Sequence, residues 1–167
     1  MKEIIRNKEK YLKTMLENAE FHYFTFHTNF LLGFICKQRE IAGIQFPTEI
    51  TLSILGDWWF GDENEWKSMV TKMTKESEFV EPDEPVKAFK LAALRWTEGA
   101  EIDSIELLQD RMKLHFRSGE IITIMNFCDD EECAWEICNT YKRNNDDVFS
   151  IYCDGGIIYC NIQGIEY

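Results

Sequence analysis

The chain has 167 residues, of which 45% are hydrophobic and 14% aromatic, and it carries a net charge of −12. This length accommodates one domain whose core needs no disulfide or metal to stay folded, and the aromatic content excludes a disordered chain. The acidic balance argues against nucleic acid and anionic membranes as ligands, because phosphate binding needs clustered Lys and Arg. It favours a basic protein as the partner, or serves only to keep an aromatic-rich protein soluble.

The N-terminal third predicts one helix followed by antiparallel strands. Residues 2–20 predict the helix, because apolar side chains recur there at spacings of three and four. Residues 21–36 predict a hairpin, since aromatic and β-branched residues dominate and Thr28-Asn29 suits a turn. A further strand is predicted over residues 49–55.

Two more helices are predicted in the middle of the chain. Asp62 suits the N-cap of a helix over residues 63–75, because its carboxylate can accept backbone amide protons. Pro85 suits the first turn of the next helix, and Gly99 suits its C-terminal end. Residues 76–84 between them are acidic and contain a proline, which predicts a linker loop.

The C-terminal part predicts strands. Residues 102–127 predict an antiparallel pair, because apolar and polar residues alternate and Ser118-Gly119 can turn the chain. Asp154-Gly155-Gly156 predicts a tight hairpin turn between strands over residues 149–153 and 157–162.

Together these elements predict a single α+β domain over residues 1–167, in which antiparallel hairpins form one or two sheets and about three helices pack on one face. Residues 49–66 and 119–135 follow a similar order: Glu-Ile, an apolar strand, an acidic cluster and then a Trp. One interpretation of this echo is a weak internal duplication.

The six cysteines lack the C-x2-4-C spacing that is typical of structural zinc sites. Cys128, Cys133 and Cys138 are separated by four residues each, and Cys153 and Cys160 are expected to face each other across the last hairpin. The chain opens with charges, not with an apolar leader, and its longest apolar run has seven residues. We therefore expect a cytoplasmic protein with free thiols and with no metal or cofactor.

Recognisable catalytic motifs are missing from the sequence. It contains no G-x-S-x-G elbow, no H-E-x-x-H pair, no phosphate-binding loop and no dinucleotide fingerprint. The histidines His22, His27 and His115 lie in predicted strands, where nothing marks a Cys–His pair. We predict that the protein is not an enzyme, with an unrecognised thiol or metal site as an alternative.

Residues 56–63 are the most suggestive candidates for partner binding. Three consecutive aromatic residues there cannot all point inward from a turn between a strand and a helix, and an exposed Trp among carboxylates is typical of a binding hot spot. In the other interpretation, Trp58 and Phe60 belong to the core and Trp59 lies along the helix. The predicted partner-binding residues are Asp57, Trp58, Trp59, Asp62, Glu63 and Glu65, with Asp129, Asp130, Glu131 and Glu132 in a second acidic run.

The runs "IDSIELLQDRMKLHFRSGEIITI", "AWEI" and "VFSIYCDGGIIYCNI" resemble small bacterial immunity-type proteins of polymorphic toxin systems, in which a strand pair precedes a Trp-bearing strand. The likeness covers about 60 of the 167 residues. It implies a cytosolic antidote that occludes a cognate toxin, often a basic nuclease, through an acidic surface, and it assigns no individual residue. We therefore predict an immunity-type inhibitor. The alternative is a phage or mobile-element anti-defence protein that mimics nucleic acid by its acidic surface.

Overall fold

The computed structural model describes residues 2–37, 40–41, 44–76, 84–129, 133–140 and 149–162. Over these residues it contains three helices and two extended antiparallel sheets, which confirms the predicted α+β class. Two predicted segments lie largely outside the described residues. They are the linker, at residues 77–83, and the second acidic run, at Asp130, Glu131 and Glu132.

The larger sheet has six antiparallel strands in the order β1, β2, β5, β10, β11, β12. Their bounds are Glu20–Phe26, Phe30–Ile35, Glu49–Ile54, Cys133–Asn139, Phe149–Asp154 and Ile157–Ile162. Because side chains alternate between the faces of a strand, Leu32, Leu52, Ile137 and Ile151 form one fully buried row across the sheet. This row forms one wall of the core. Two short strands, β3 at Glu40–Ile41 and β4 at Ile44–Gln45, pair separately.

The smaller sheet has four antiparallel strands in the order β6, β9, β8, β7. Their bounds are Trp58–Phe60, Ile121–Met125, Arg111–Phe116 and Ile102–Leu107. Trp58, Ile124 and Met112 lie opposite one another on the inner face and are buried. They belong to the same hydrophobic core as the inner face of the larger sheet.

The two sheets are joined at a corner where the chain crosses between them twice. From β5 to β6 it leaves the larger sheet for the smaller one, and from β9 to β10 it returns. The crossings bond to each other: the carbonyl oxygen of Ala134 accepts hydrogen bonds from the Leu55 and Gly56 amides at 3.0 and 2.9 Å, and Met125 N–H donates to the Asp57 carbonyl oxygen at 2.9 Å. Backbone hydrogen bonds therefore connect the two crossing segments to each other.

The three helices pack at two separate places on the sheets, whereas the sequence predicts that all of them pack on one face. Helix α1, Lys2–Leu16, contacts β7 and β12 and buries Leu12, Met15 and Leu16 in the core. Helices α2, Glu63–Glu76, and α3, Glu84–Thr97, pack on each other and on β6. Since β6 is an edge strand, the helix pair covers a sheet edge that would otherwise be open. No described helix has the length and apolar character needed to cross a membrane.

Three local expectations are wrong. Residues 102–127 contain three antiparallel strands, β7, β8 and β9, instead of one pair. Residues 58–60 form a strand instead of a turn, because pairing with β9 satisfies their backbone hydrogen bonds. Cys153 and Cys160 share the inner face but are not opposite each other: the turn pairs Asp154 with Ile157, which places Cys153 opposite Ile158.

Candidate binding groove beside strand β6

A groove lies where α2 and α3 cover β6, and we name it the β6 groove. Its floor consists of residues 57–61, and Trp66 of α2 lines both of its cavities. The larger cavity, about 620 Å³, extends towards Asp57 and Lys90. The smaller one, about 330 Å³, extends towards the turn between β8 and β9 at Gly119. Both volumes are in the range of ligand pockets.

Trp58 and Trp59 point to opposite faces of β6, and only 3% and 7% of their surface is exposed. Trp58 packs in the core, with its ring 4.8 Å from that of Phe30. Trp59 lies on the other face beneath Arg111, whose guanidinium carbon is 5.5 Å from the ring centroid. Neither indole is the exposed anchor that one interpretation of the sequence expected, because β6 pairs with β9 and both faces are covered. Both side chains instead form part of the wall of the larger cavity.

Arg111 is the centre of an ion cluster that covers Trp59. Its guanidinium donates to Glu63 at 2.7 Å and to Asp110 at 2.7 and 3.0 Å, and Lys67 donates to Glu63 at 2.6 Å. The hydrogen bond from Lys67, followed by that from Arg111, lowers the pKa of Glu63 below its usual value. Glu63 is therefore engaged in ion pairs with Lys67 and Arg111 and is a weak candidate for partner binding.

The remaining predicted carboxylates have different roles. Asp62 caps α2, since its Oδ1 accepts the backbone amides of Asn64 and Glu65 at 2.8 and 3.1 Å. Asp57 and Glu65 are exposed at the rim, and their side chains form no ion pair or hydrogen bond with any described residue. Asp129 is exposed but does not line either cavity of the groove. The groove thus brings together the first predicted cluster except Asp62, which lines neither cavity, and it leaves Asp129 apart.

Lys90 of α3 lies inside an aromatic cage beside the larger cavity. Its Nζ is 4.4 Å from the ring centroid of Trp58, 5.6 Å from that of Trp66 and 5.9 Å from that of Phe30. Burial lowers the pKa of Lys90 to about 8, while the nearby carboxylate of Asp57 acts in the opposite direction. The sequence carries no signal for this cage, because the rings come from three separate elements.

Trp96 is the most exposed large apolar residue of the described chain, with 86% of its surface accessible. Sequence reasoning assigned it no binding role. The available signal is its spacing: Trp96 follows Phe89 by seven residues, which is two helical turns, so both lie on one face of α3. Phe89 lines the smaller cavity and its ring lies 5.7 Å from that of Trp66.

Three of the thiols, two buried and one half-buried, are poorly suited to nucleophilic chemistry. Burial raises the pKa of Cys153 and of Cys160 to about 11, and it also raises the pKa of Cys133. Because the thiolate is the nucleophile, these three side chains are weakly reactive at neutral pH. Among the described residues, no cluster of three or more His, Cys, Asp or Glu side chains could hold a metal ion.

Comparison with known proteins finds no matching family model, no matching curated protein and no matching solved structure. The resemblance to immunity-type proteins stays a prediction. Function is therefore inferred from the geometry and the charge of the β6 groove.

Proposed function

We propose that this chain is an immunity-type inhibitor that binds a basic protein across the β6 groove. The observation that carries the proposal is the 86% exposure of Trp96 beside this groove. A tryptophan exposed to this degree offers a large apolar surface whose burial on association is favourable. Tryptophan is also among the residues most enriched at binding hot spots.

The position of Trp96 connects it to the groove. Two helical turns separate it from Phe89, which places the two side chains roughly 10 Å apart along α3. Phe89 in turn packs on Trp66, the residue shared by both cavities. A partner that covers Trp96 can therefore continue along an apolar line into the groove.

Charge favours a basic partner. The chain carries a net charge of −12, and the exposed carboxylates of Asp57 and Glu65 lie at the rim, where Asp57 also interacts electrostatically with Lys90. A negative surface of this kind accelerates association with cations and repels nucleic acid. An exposed apolar residue on a chain of net negative charge suits a protein that occludes a basic toxin.

The test compares capture of proteins from the native host by immobilised wild-type protein and by two variants. Trp96→Ala should lose the partner mainly through faster dissociation, because a buried aromatic anchor determines residence time. Asp57→Asn combined with Glu65→Gln should slow association and weaken its dependence on salt, because charges steer the encounter.

Ile157→Ala is the matched control, since Ile157 is 57% exposed and does not line the groove. All variants should keep the melting temperature of the wild type, because these side chains are exposed. Retention of the same partner by Trp96→Ala would contradict the proposal, and so would capture of an acidic partner or of nucleic acid.

A further inference from the structure

We infer that the smaller cavity of the β6 groove is a pocket for one cationic side chain of the partner, a guanidinium or ammonium group on an apolar stem. This inference rests on the proposed function and makes it specific. The cavity combines apolar walls with the carboxylates of two glutamates.

The walls are apolar and aromatic. Trp66 and Phe89 meet at 5.7 Å between ring centroids, and Phe60, Met69 and Ile121 complete the lining. With a volume of about 330 Å³, the cavity is at the small end of ligand pockets, which suits a single side chain. Aromatic faces also attract cations through their quadrupole.

Glu120 is one of the two glutamates that line the cavity. Its Oε2 is shielded from solvent and accepts no hydrogen bond from any described residue. A shielded carboxylate oxygen without a donor costs free energy, so native proteins seldom leave one. A donor that enters the pocket would remove this cost.

The backbone around Glu120 is held firmly, so the carboxylate is presented from a defined place. Gly119 adopts a positive φ of 102° in the turn between β8 and β9, a conformation that glycine tolerates. Gly119 N–H donates to the Phe116 carbonyl oxygen, and Phe116 N–H donates to the Glu120 carbonyl oxygen, both at 2.9 Å. These backbone bonds fix the place from which the Glu120 side chain extends.

The charge of the lining selects a cation. Glu65 and Glu120 both contribute to it, whereas the described lining contains no Lys or Arg. The larger cavity differs, because there the chain's own Lys90 lies 5.6 Å from the ring of Trp66. The ring of Trp66 thus already contacts the ammonium group of Lys90 in the larger cavity. In the smaller cavity, Trp66 and Phe89 offer a similar aromatic surface next to Glu120.

The test uses n-butylguanidinium as the probe and neutral N-butylurea as its matched analogue, titrated into ¹⁵N-labelled protein. We expect saturable shifts of the Trp66 indole N–H and of the Glu120 and Ile121 amides with the cation. N-butylurea should bind at least about tenfold more weakly, because a charge-assisted hydrogen bond is roughly twice as strong as a neutral one. Equal binding of the two probes, or shifts elsewhere only, would overturn the inference.

Glu120→Gln should lower the affinity for n-butylguanidinium about tenfold. Asp129→Asn removes the same charge from an exposed residue outside the cavity and should leave the affinity nearly unchanged. Equal losses of affinity in the two variants would show that the probe responds to the overall negative charge of the protein and not to a specific pocket. The two-probe comparison needs only wild-type protein, so it remains decisive if Glu120→Gln folds poorly.

The probe also separates this inference from the proposed function. Selective binding of n-butylguanidinium without any captured basic partner would keep the pocket and reject the inhibitor role. A basic partner lost by Trp96→Ala, without probe binding, would keep the inhibitor role and reject the pocket.

Discussion

Residues 49–66 and 119–135 follow a similar order of residue types, yet Trp66 and Trp135 at their ends have different environments. Both segments begin as a strand, cross to the other sheet and reach a Trp after an acidic cluster. Trp66 ends on α2, half-buried, between the two cavities of the groove. Trp135 lies in β10 with no exposed surface, and its Nε1–H donates to Asn126 at 3.0 Å.

The two tryptophans differ in environment because the connections between the sheets, from β5 to β6 and from β9 to β10, differ in length. In the first segment only residues 55–57 separate β5 from β6, so the acidic cluster follows β6 and starts a helix. In the second, β9 ends at Met125 and β10 begins at Cys133, so the acidic cluster precedes the second strand in the sequence. Trp66 therefore lies on the surface of α2, whereas Trp135 lies in β10, an inner strand of the larger sheet.

The largest expected effect is the contrast between the two tryptophans. Trp135→Ala should destabilise the protein by about 3–5 kcal/mol, because it leaves a core cavity and an unpaired Asn126 oxygen. Trp66→Ala should cost about 1–2 kcal/mol, since its ring is already partly exposed. Urea unfolding followed by circular dichroism measures both. Similar losses would mean that the groove and the core are equally important for stability.

The second expectation concerns the charge of Lys90, which lies beside Trp58 and Trp66 of the first segment. The pKa of Lys90 is lowered by burial to about 8 from 10.5, so between these values the unfolded chain binds more protons than the folded one. The cost of burying the charged lysine therefore falls, and the stability of the protein rises, as the pH increases across that window. From pH 7 to pH 9 the wild type should gain roughly 1 kcal/mol relative to Lys90→Met.

Chemical denaturation of the two proteins at a series of pH values measures this gain, and the Met variant cancels the titration of all other groups. A constant difference between pH 7 and pH 9 would show that Lys90 is not desolvated by its aromatic cage.

The smallest expected effect compares the carboxylates of the two acidic clusters. Asp62→Ala should cost about 1 kcal/mol, because two backbone amides at the start of α2 lose their acceptor. Asp129→Ala should change the unfolding free energy by less than about 0.5 kcal/mol, since Asp129 is exposed. Thermal unfolding of both variants is the measurement, and an Asp129 effect as large as that of Asp62 would reveal an unrecognised structural role.

Local signals in the sequence predict most of the elements. The spacing of apolar residues predicts α1, and alternation together with Gly155-Gly156 predicts the β11–β12 hairpin. Asp62 and Pro85 mark the starts of α2 and α3, because capping and proline geometry depend only on nearby backbone. The acidic composition and the first cluster of candidate residues also follow from the sequence alone.

Tertiary structure decides what those elements do. Whether residues 58–60 form a turn or a strand depends on pairing with β9, a partner more than 60 residues away in the chain. The same pairing buries Trp58 and Trp59, while Trp96 remains exposed because no described element covers its part of α3. The Lys90 cage and the unpaired Glu120 oxygen arise where separate elements converge, and such long-range packing leaves no periodic trace in the sequence.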